Sequence, residues 1–217
     1  NMTSMQARSF NKFTGTLDAP ATMPTYDHFR TVLQTLTKPS AAKYMVEGDY
    51  EIIGVQTAGA VFLFTNDRNV KALPDLAGKR MAILDSMPEV RQMVVDLGMT
   101  PVSSTITNIF QKFNNKAVDI AAGPAIVYEM MELHKGLEPN GGILAEPLIQ
   151  GNMQFVGRTK KLPPGFGQKS REFFLANFDR SLQIIRDAEA AVPKKWWIAL
   201  PEDQRDELYA RLAEAAS

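Results

Sequence analysis

At 217 residues, with 45% hydrophobic and 22% charged side chains, the chain is long enough for one sizeable domain or two small lobes, and its balance does not favour disorder. Lysine plus arginine and aspartate plus glutamate number 24 each, so the net charge is zero and no long-range field favours nucleic acid or an anionic membrane. There is no cysteine, which excludes thiol catalysis, cysteine-ligated zinc and disulfides, and the two histidines are too few for a His-rich metal site.

The opening, "NMTSMQARSFNKFTG", has neither an initiator Met at position 1 nor a segment that reads as a first strand or helix, which predicts a fragment. No basic segment leading into an apolar one starts the chain, so a signal peptide is absent or already removed. The longest apolar run, "AVFLF" at 60–64, is far short of the ~20 residues a membrane helix needs.

In "TYDHFRTVLQTL" (25–36), Phe29, Val32, Leu33 and Leu36 fall at helical spacing, with Thr25 or Asp27 as the cap and Pro39 beyond the end. "PSAAKYMVEGD" predicts a short helix stopped at Gly48. "YEIIGVQ" and "AVFLFTN" predict two neighbouring strands around a turn at "TAGA". From "LPDLAGKR" the rhythm changes to strand 80–84, helix 87–97, strand 99–103, helix 105–114, strand 117–122 and helix 124–135. Such alternation predicts an α/β lobe with a parallel sheet. Ser86 and Glu89 are spaced as a capping box for the first of these helices, and Gly98 stops it. "ILAEPLIQGNMQFVGR" predicts one or two strands interrupted by Pro147 and Gly151. A long helix follows, with Phe174, Phe178, Leu182 and Ile185 on one side, and then a helix over 201–215.

Catalytic motifs are scarce: no G-x-S-x-G, Walker A, H-E-x-x-H or EF-hand loop occurs. His28 and His134 lie on predicted helices, where surface or capping roles outweigh catalysis. The joint at Asp85 and Ser86 carries more. A helix N-terminus presents free N–H groups and a partial positive charge, and in an open α/β sheet ligands sit outside the carboxyl ends of strands. "SSTITN" (103–108) and "AAGPAIVYE" (121–129) belong to the same edge, which could bring Asn108, Pro124 and Tyr128 near Asp85 and Ser86. Ordinary N-capping explains several of these positions as well.

Arg8, in "SMQARSFN", could fork a carboxylate, although a loop arginine is more often exposed or paired with an acid. Gln150, Asn152 and Gln154 alternate along a strand and so share one side. An amide row fits a polar cleft wall, and an exposed sheet face explains it equally well. Trp196 and Trp197 sit between two helices, where packing between lobes is the expected job.

The order of strand pair, polar link, "LPDLAGKRMAIL", α/β lobe, return strand and "LPPGFGQKSREFFLANFDRSLQIIRDAEA" resembles the periplasmic solute-binding receptors of TRAP transporters, the dicarboxylate-receptor-like group. "FNNKAVDIAAGP" is similar to that group's helix end, turn and strand, while "ARSFNKFTGTLDA" and "GFGQKSREFF" resemble a branch described only as solute-binding proteins. The resemblance implies a two-lobed α/β fold of the type II periplasmic-binding-protein kind, lacking its first strand–helix–strand unit in this chain. A partial lobe 1 would cover 1–79, lobe 2 would cover 80–146, and a return strand with C-terminal helices would cover 147–217. It also implies a monomeric periplasmic receptor, not an enzyme, with no cofactor, metal, nucleic-acid partner or membrane insertion. Such a receptor encloses a small-molecule ligand by hinge closure and delivers it to the membrane permease subunits of a transporter.

The expected contacts are Arg8 and Asn11 from the first lobe, Asp85, Ser86, Asn108, Pro124 and Tyr128 from the second, and Gln150 and Asn152 near the crossing strands. One departure matters. The dicarboxylate receptors carry an arginine in the strand after "GK" that pairs with the substrate carboxylate, and that position here is Ala82. The usual clamp is absent, and a carboxylate at Asp85 would repel an anion and welcome an amine, hydroxyl or cation. Two rival readings are an enzyme on the same fold, which would need a nucleophile–base pair that the sequence does not offer, and a protein-interaction module.

Overall fold

The computed structural model describes residues 1–17, 23, 25–85 and 87–215. The chain divides into two compact units, one of Asn1–Gly59 with Ile149–Asp187 and one of Ala60–Leu148 with Ala188–Ser217. In order, the elements are β1 (Met2–Thr3), α1 (Ser4–Ala7), α2 (Tyr26–Leu36), β2 (Val46–Glu47), β3 (Tyr50–Thr65), β4 (Arg80–Leu84), α3 (Pro88–Asp96), β5 (Thr100–Ser104) and α4 (Ile109–Asn114). There follow β6 (Ile120–Pro124), α5 (Val127–Met130), α6 (His134–Leu137), β7 (Gly142–Leu144), β8 (Ile149–Arg158), α7 (Phe166–Ala176), α8 (Phe178–Ala191), β9 (Trp197–Ile198) and α9 (Glu202–Ala215). The fold is mixed α/β, as the alternation predicts.

The opening residues, expected to hold no first element, do form one. Met2 and Thr3 pair antiparallel with Gln154 and Met153 of β8, and Thr3 caps the single turn of α1 in a reciprocal box with Gln6. In α2, the Thr25 hydroxyl accepts from the His28 backbone N–H, as a helix start requires. Its buried stripe of Phe29, Leu33 and Leu36 packs with Met45, Ile52, Val55, Phe178 and Leu182 to form the core of the first unit. Arg30 ties α2 to α8 through a two-pronged contact with Asp179. The expected long helix is two, α7 and α8, separated by Asn177.

The expected turn at "TAGA" does not exist, because β3 runs unbroken for 16 residues. Its neighbour explains why. Leu148 N–H bonds to Val61 O and Thr159 N–H to Asp49 O, so β3 spends 12 steps where the opposed chain spends 11. One residue must bulge, and Gly59, at φ +95°, takes the positive-φ position that such a bulge needs, its N–H held by Thr57 Oγ1 at 3.1 Å. The "TAGA" glycine bends a strand instead of reversing it.

In the second unit β4 lies between β5 and β6 and runs parallel to both, with Leu84 opposite Ser104 and Met81 opposite Ile120. Met81, Ile83, Val94, Met99, Ile120, Leu144 and Ile198 belong to its core. Gly98, at φ +74°, follows the end of α3, as expected. The expected capping box involves Ser86, which lies outside the described residues. Two helices are shorter than expected: residues 105–108 form a turn ahead of α4, and Glu132, at φ +51°, separates α5 from α6. Asp119, before β6, accepts from Arg80 Nε, Nη2 and backbone N–H and from Asn66 Nδ2, at 2.8–3.2 Å. These bonds, those from Arg80 above all, hold its carboxyl well below the usual carboxylate range.

Two outcomes follow. Gly59→Ala forces a Cβ into positive φ, costing about 1–2 kcal/mol, and thermal unfolding of the variant shifts down by about 2–8 °C. A depressed carboxyl contributes stability that is present above the unfolded pKa near 3.9 and lost as pH falls. Asp119→Asn is therefore less stable than the parent at pH 7, and urea midpoints at pH 7 and about 3.5 show that gap narrowing in acid.

Candidate functional site

Alternate residues of a strand share a face, so Gln150, Asn152 and Gln154 of β8 form one row. All three are buried, at 5%, 3% and 0% exposure, which removes the exposed-face reading. Buried amides must find partners, so their bonds can be followed one by one. Gln154 Nε2 lies 2.7 Å from Thr14 O and 2.7 Å from Ser4 Oγ, and Gln154 Oε1 accepts from Thr14 Oγ1 at 2.8 Å. A carbonyl only accepts, so Thr14 O fixes which end of this amide is nitrogen. That nitrogen also faces Asn152 Oδ1 at 3.4 Å, which leaves Asn152 Nδ2 turned away. Asn152 Nδ2 and Gln150 Oε1 are both buried and both without a partner among the described residues. A donor and an acceptor thus stand on one face, uncharged and unsatisfied.

Of the expected contacts in the first unit, Asn11 joins this network as support. Its Oδ1 accepts from Thr14 N–H at 2.8 Å and its Nδ2 donates to Tyr44 O at 2.9 Å. Both ends are used. The Arg8 fork closes on Gly15 O, with Nε and Nη2 each at 3.3 Å. Ser4 and Thr14 were not among the expected contacts, since neither stands in a periodic segment.

In the second unit the parallel pairing aligns the carboxyl ends of β4, β5 and β6. Asp85 is exposed just past β4, and its N–H bonds to Ser104 O at 3.1 Å. Pro124 ends β6 at the matching level, since Ile120 pairs with Met81 four residues earlier in each strand. Asn108 holds its own turn, Oδ1 accepting from Thr105 N–H at 2.9 Å. Ser86 lies outside the described residues. Two cations reach this edge: Arg91 Nη2 donates to Ser103 Oγ at 2.8 Å, and Lys112 Nζ donates to Ser103 O. Tyr128 is buried, and its hydroxyl accepts from Trp196 Nε1 at 2.8 Å. Burial pushes that phenol up. The tryptophans, expected between lobes, pack inside the second unit, with Trp197 edge-on to Phe62. Ala82 is buried within β4. Among the described residues no group of His, Asp and Glu could hold a metal.

Gln154 and Gln150 should respond oppositely to the same change. Gln154→Leu strands Ser4 and Thr14 at a cost of about 2–3 kcal/mol, whereas Gln150→Leu removes an unpartnered oxygen and leaves the free protein as stable or up to about 1 kcal/mol more stable. Denaturant midpoints of the two variants check this.

Comparison with known proteins adds sequence and fold relatives. The family model described as "Solute-binding protein AdeT 1/2" matches residues 1–215. The Acinetobacter baumannii protein named "Probable solute-binding protein AdeT1" is 35% identical over 214 residues, covering 99% of this chain and 70% of the relative. A second protein from that organism, "Probable solute-binding protein AdeT2", is 25% identical over 171 residues, covering 78% of this chain and 71% of the relative. Among solved structures, a TRAP periplasmic solute-binding protein from Roseobacter denitrificans with bound β-D-glucuronate superposes with a TM-score of 0.78 at 16% identity, over 100% of this chain and 74% of that one. Another, from Desulfovibrio salexigens with bound orotic acid, gives 0.76 at 14% identity, over 99% and 71%. At these identities the structures establish the fold, and it is the fold that the sequence resemblance implied. The chain belongs to the AdeT 1/2 family of solute-binding proteins, which are receptors and not enzymes.

Proposed function

We propose that the protein is an extracytoplasmic receptor that captures a small polar or anionic organic solute and delivers it to the membrane subunits of a TRAP-type transporter. Family membership supports the binding role, and the fold supports the transporter class. Among the described residues no helix is long and apolar enough to cross a membrane. The single observation that carries the site is the pair of buried, unpartnered amide atoms, Gln150 Oε1 and Asn152 Nδ2. Each costs stability while empty, and a solute offering one acceptor and one donor, as a hydroxy or keto acid or a sugar acid does, satisfies both.

The solutes bound in the fold relatives, glucuronate and orotate, are organic acids with hydroxyl or carbonyl groups of this kind. With Ala82 buried, β4 supplies no guanidinium at that position, so hydroxyl and carbonyl recognition by the amides carries more of the affinity here than a carboxylate clamp does. In this reading Arg8 and Asn11 support the wall, and Asp85 and Pro124, at matching strand ends of the second unit, are offered to the solute separately from it.

A thermal-shift screen of hydroxy acids, sugar acids and neutral polyols tests the reading. A true ligand at 100 times its dissociation constant adds about 2.7 kcal/mol, or about 5–11 °C for a chain of this size. Gln150→Leu and Asn152→Leu should each weaken binding by about 10- to 100-fold while the free protein remains folded. A panel without a single shifting solute, or a ligand bound equally by both variants, counts against the proposal.

A further inference from the structure

The second unit has a concavity at the amino end of its strands. Arg68, Asn69, Lys71, Asn140, Trp197 and Ile198 line a cavity of about 480 Å³. Its place follows from the register. Thr65, the last residue of β3, pairs with Ile120 and Gly142, the first residues of β6 and β7. The loop after Thr65 therefore stands at the amino end of the parallel strands. Asp85 and Pro124 stand at the carboxyl end, on the order of 15 Å away at ~3.3 Å per residue.

The side chains that line this cavity carry positive charge and no acid. Arg68 Nη1 donates to Gly141 O at 3.4 Å and to Lys195 O, and Nη2 donates to Trp197 O at 3.1 Å. Three neutral carbonyls fix the guanidinium in position and leave its charge uncompensated. Its Nε–H and one Nη2–H have no acceptor among the described residues. Lys71 makes no ion pair among them either. Two acids are nearby: Asp67 is occupied by Lys79 Nζ at 2.7 Å and by Asn69 N–H at 2.9 Å, and Asp75 Oδ2 accepts from the backbone N–H groups of Lys71 and Ala72 at 2.9 and 3.0 Å, and neither lines the cavity. Asn69 and Asn140 add two amides, and no carboxylate lines the wall. The indole of Trp197, braced edge-on by Phe62 with ring centroids 5.0 Å apart, supplies a flat apolar side. Gly142 permits this closure, because a Cβ there would lie 2.4 Å from Ile198 Cδ1. In a chain with no net charge, two unpaired cations beside a ring are a local arrangement and not the overflow of a basic surface.

Two cations, two amides and an indole with no acid match an anionic group carried on a flat body. The volume lies within the range of small-molecule sites, about 300–1,000 Å³. We propose that this cavity is a second ligand site, separate from the amide row, which takes a small aromatic carboxylate or phosphate.

Tryptophan fluorescence tests it, with benzoate, phenyl phosphate and inorganic phosphate as probes and benzamide as the uncharged control. Benzoate or phenyl phosphate should quench in a saturable way and benzamide should not. The response should disappear in Trp197→Phe, and Lys71→Glu, an exposed position whose side chain holds nothing in the fold, should weaken binding by about 10-fold or more. The Gln150→Leu variant should bind the probes unchanged, so failure at the amide row does not mimic failure here. The proposal is overturned if no anion saturates below about 10 mM, if benzamide binds as well as benzoate, or if Lys71→Glu binds as tightly as the parent.

Discussion

A neutral amide with no access to water has to find its partners within the protein, and Gln154 does so by reaching 140 and 150 residues back along the chain, to Thr14 and Ser4. Much of the first unit depends on that set of bonds. It seats the segment around α1 against β8, it gives Thr14 a reason to be buried, and it decides the polarity of the next amide in the row. Because Gln154 presents nitrogen to Asn152, Asn152 presents nitrogen onward. A bond made for packing thus sets the hydrogen-bond character of an atom that no packing partner uses. In the proposed function, that division of labour, one satisfied amide orienting an unsatisfied one, is what gives the wall its hydrogen-bond polarity.

Neutral amides make up the row of the first unit. Charges gather at the two ends of the second unit's strands, with Asp85, Arg91 and Lys112 at one end and Arg68, Lys71 and the Lys79–Asp67 and Arg80–Asp119 pairs at the other. Between those ends the strands are apolar, and Ala82 is part of that interior. The sequence resemblance implied an arginine at this position, and the structure fills it with a buried alanine.

How much of this could be read from the sequence depends on the range of the signal. The strand at 80–84, the capped stripe of α2 and the stop at Gly98 are local patterns, and they stand where the residues put them. Alternation showed that Gln150, Asn152 and Gln154 share a face, but not that the face is buried, because the partners of Gln154 lie at positions 4 and 14. Short-range competition explains the clipped helices: Asn108 spends its side chain on the turn before α4, and Glu132 adopts positive φ after α5. "TAGA" misled because a glycine with a small neighbour on either side fits a turn and a bulge equally, and only the partner strand's length distinguishes them. The tryptophans gave no local hint that one would donate to a tyrosine 68 residues away.

The bulge at Gly59 has a further consequence, for what can change in the chain over time. Before it β3 buries Ile52, Val55 and Thr57, and beyond it Ala60 and Phe62 to Thr65, so both faces of the far half are covered. Losing one residue here would keep the strand yet turn its far half over, presenting Leu63 and Thr65 where Phe62 and Phe64 now sit. Substitutions can accumulate along this stretch, but insertions and deletions cannot, and its length should be among the most invariant features of any descendant sequence.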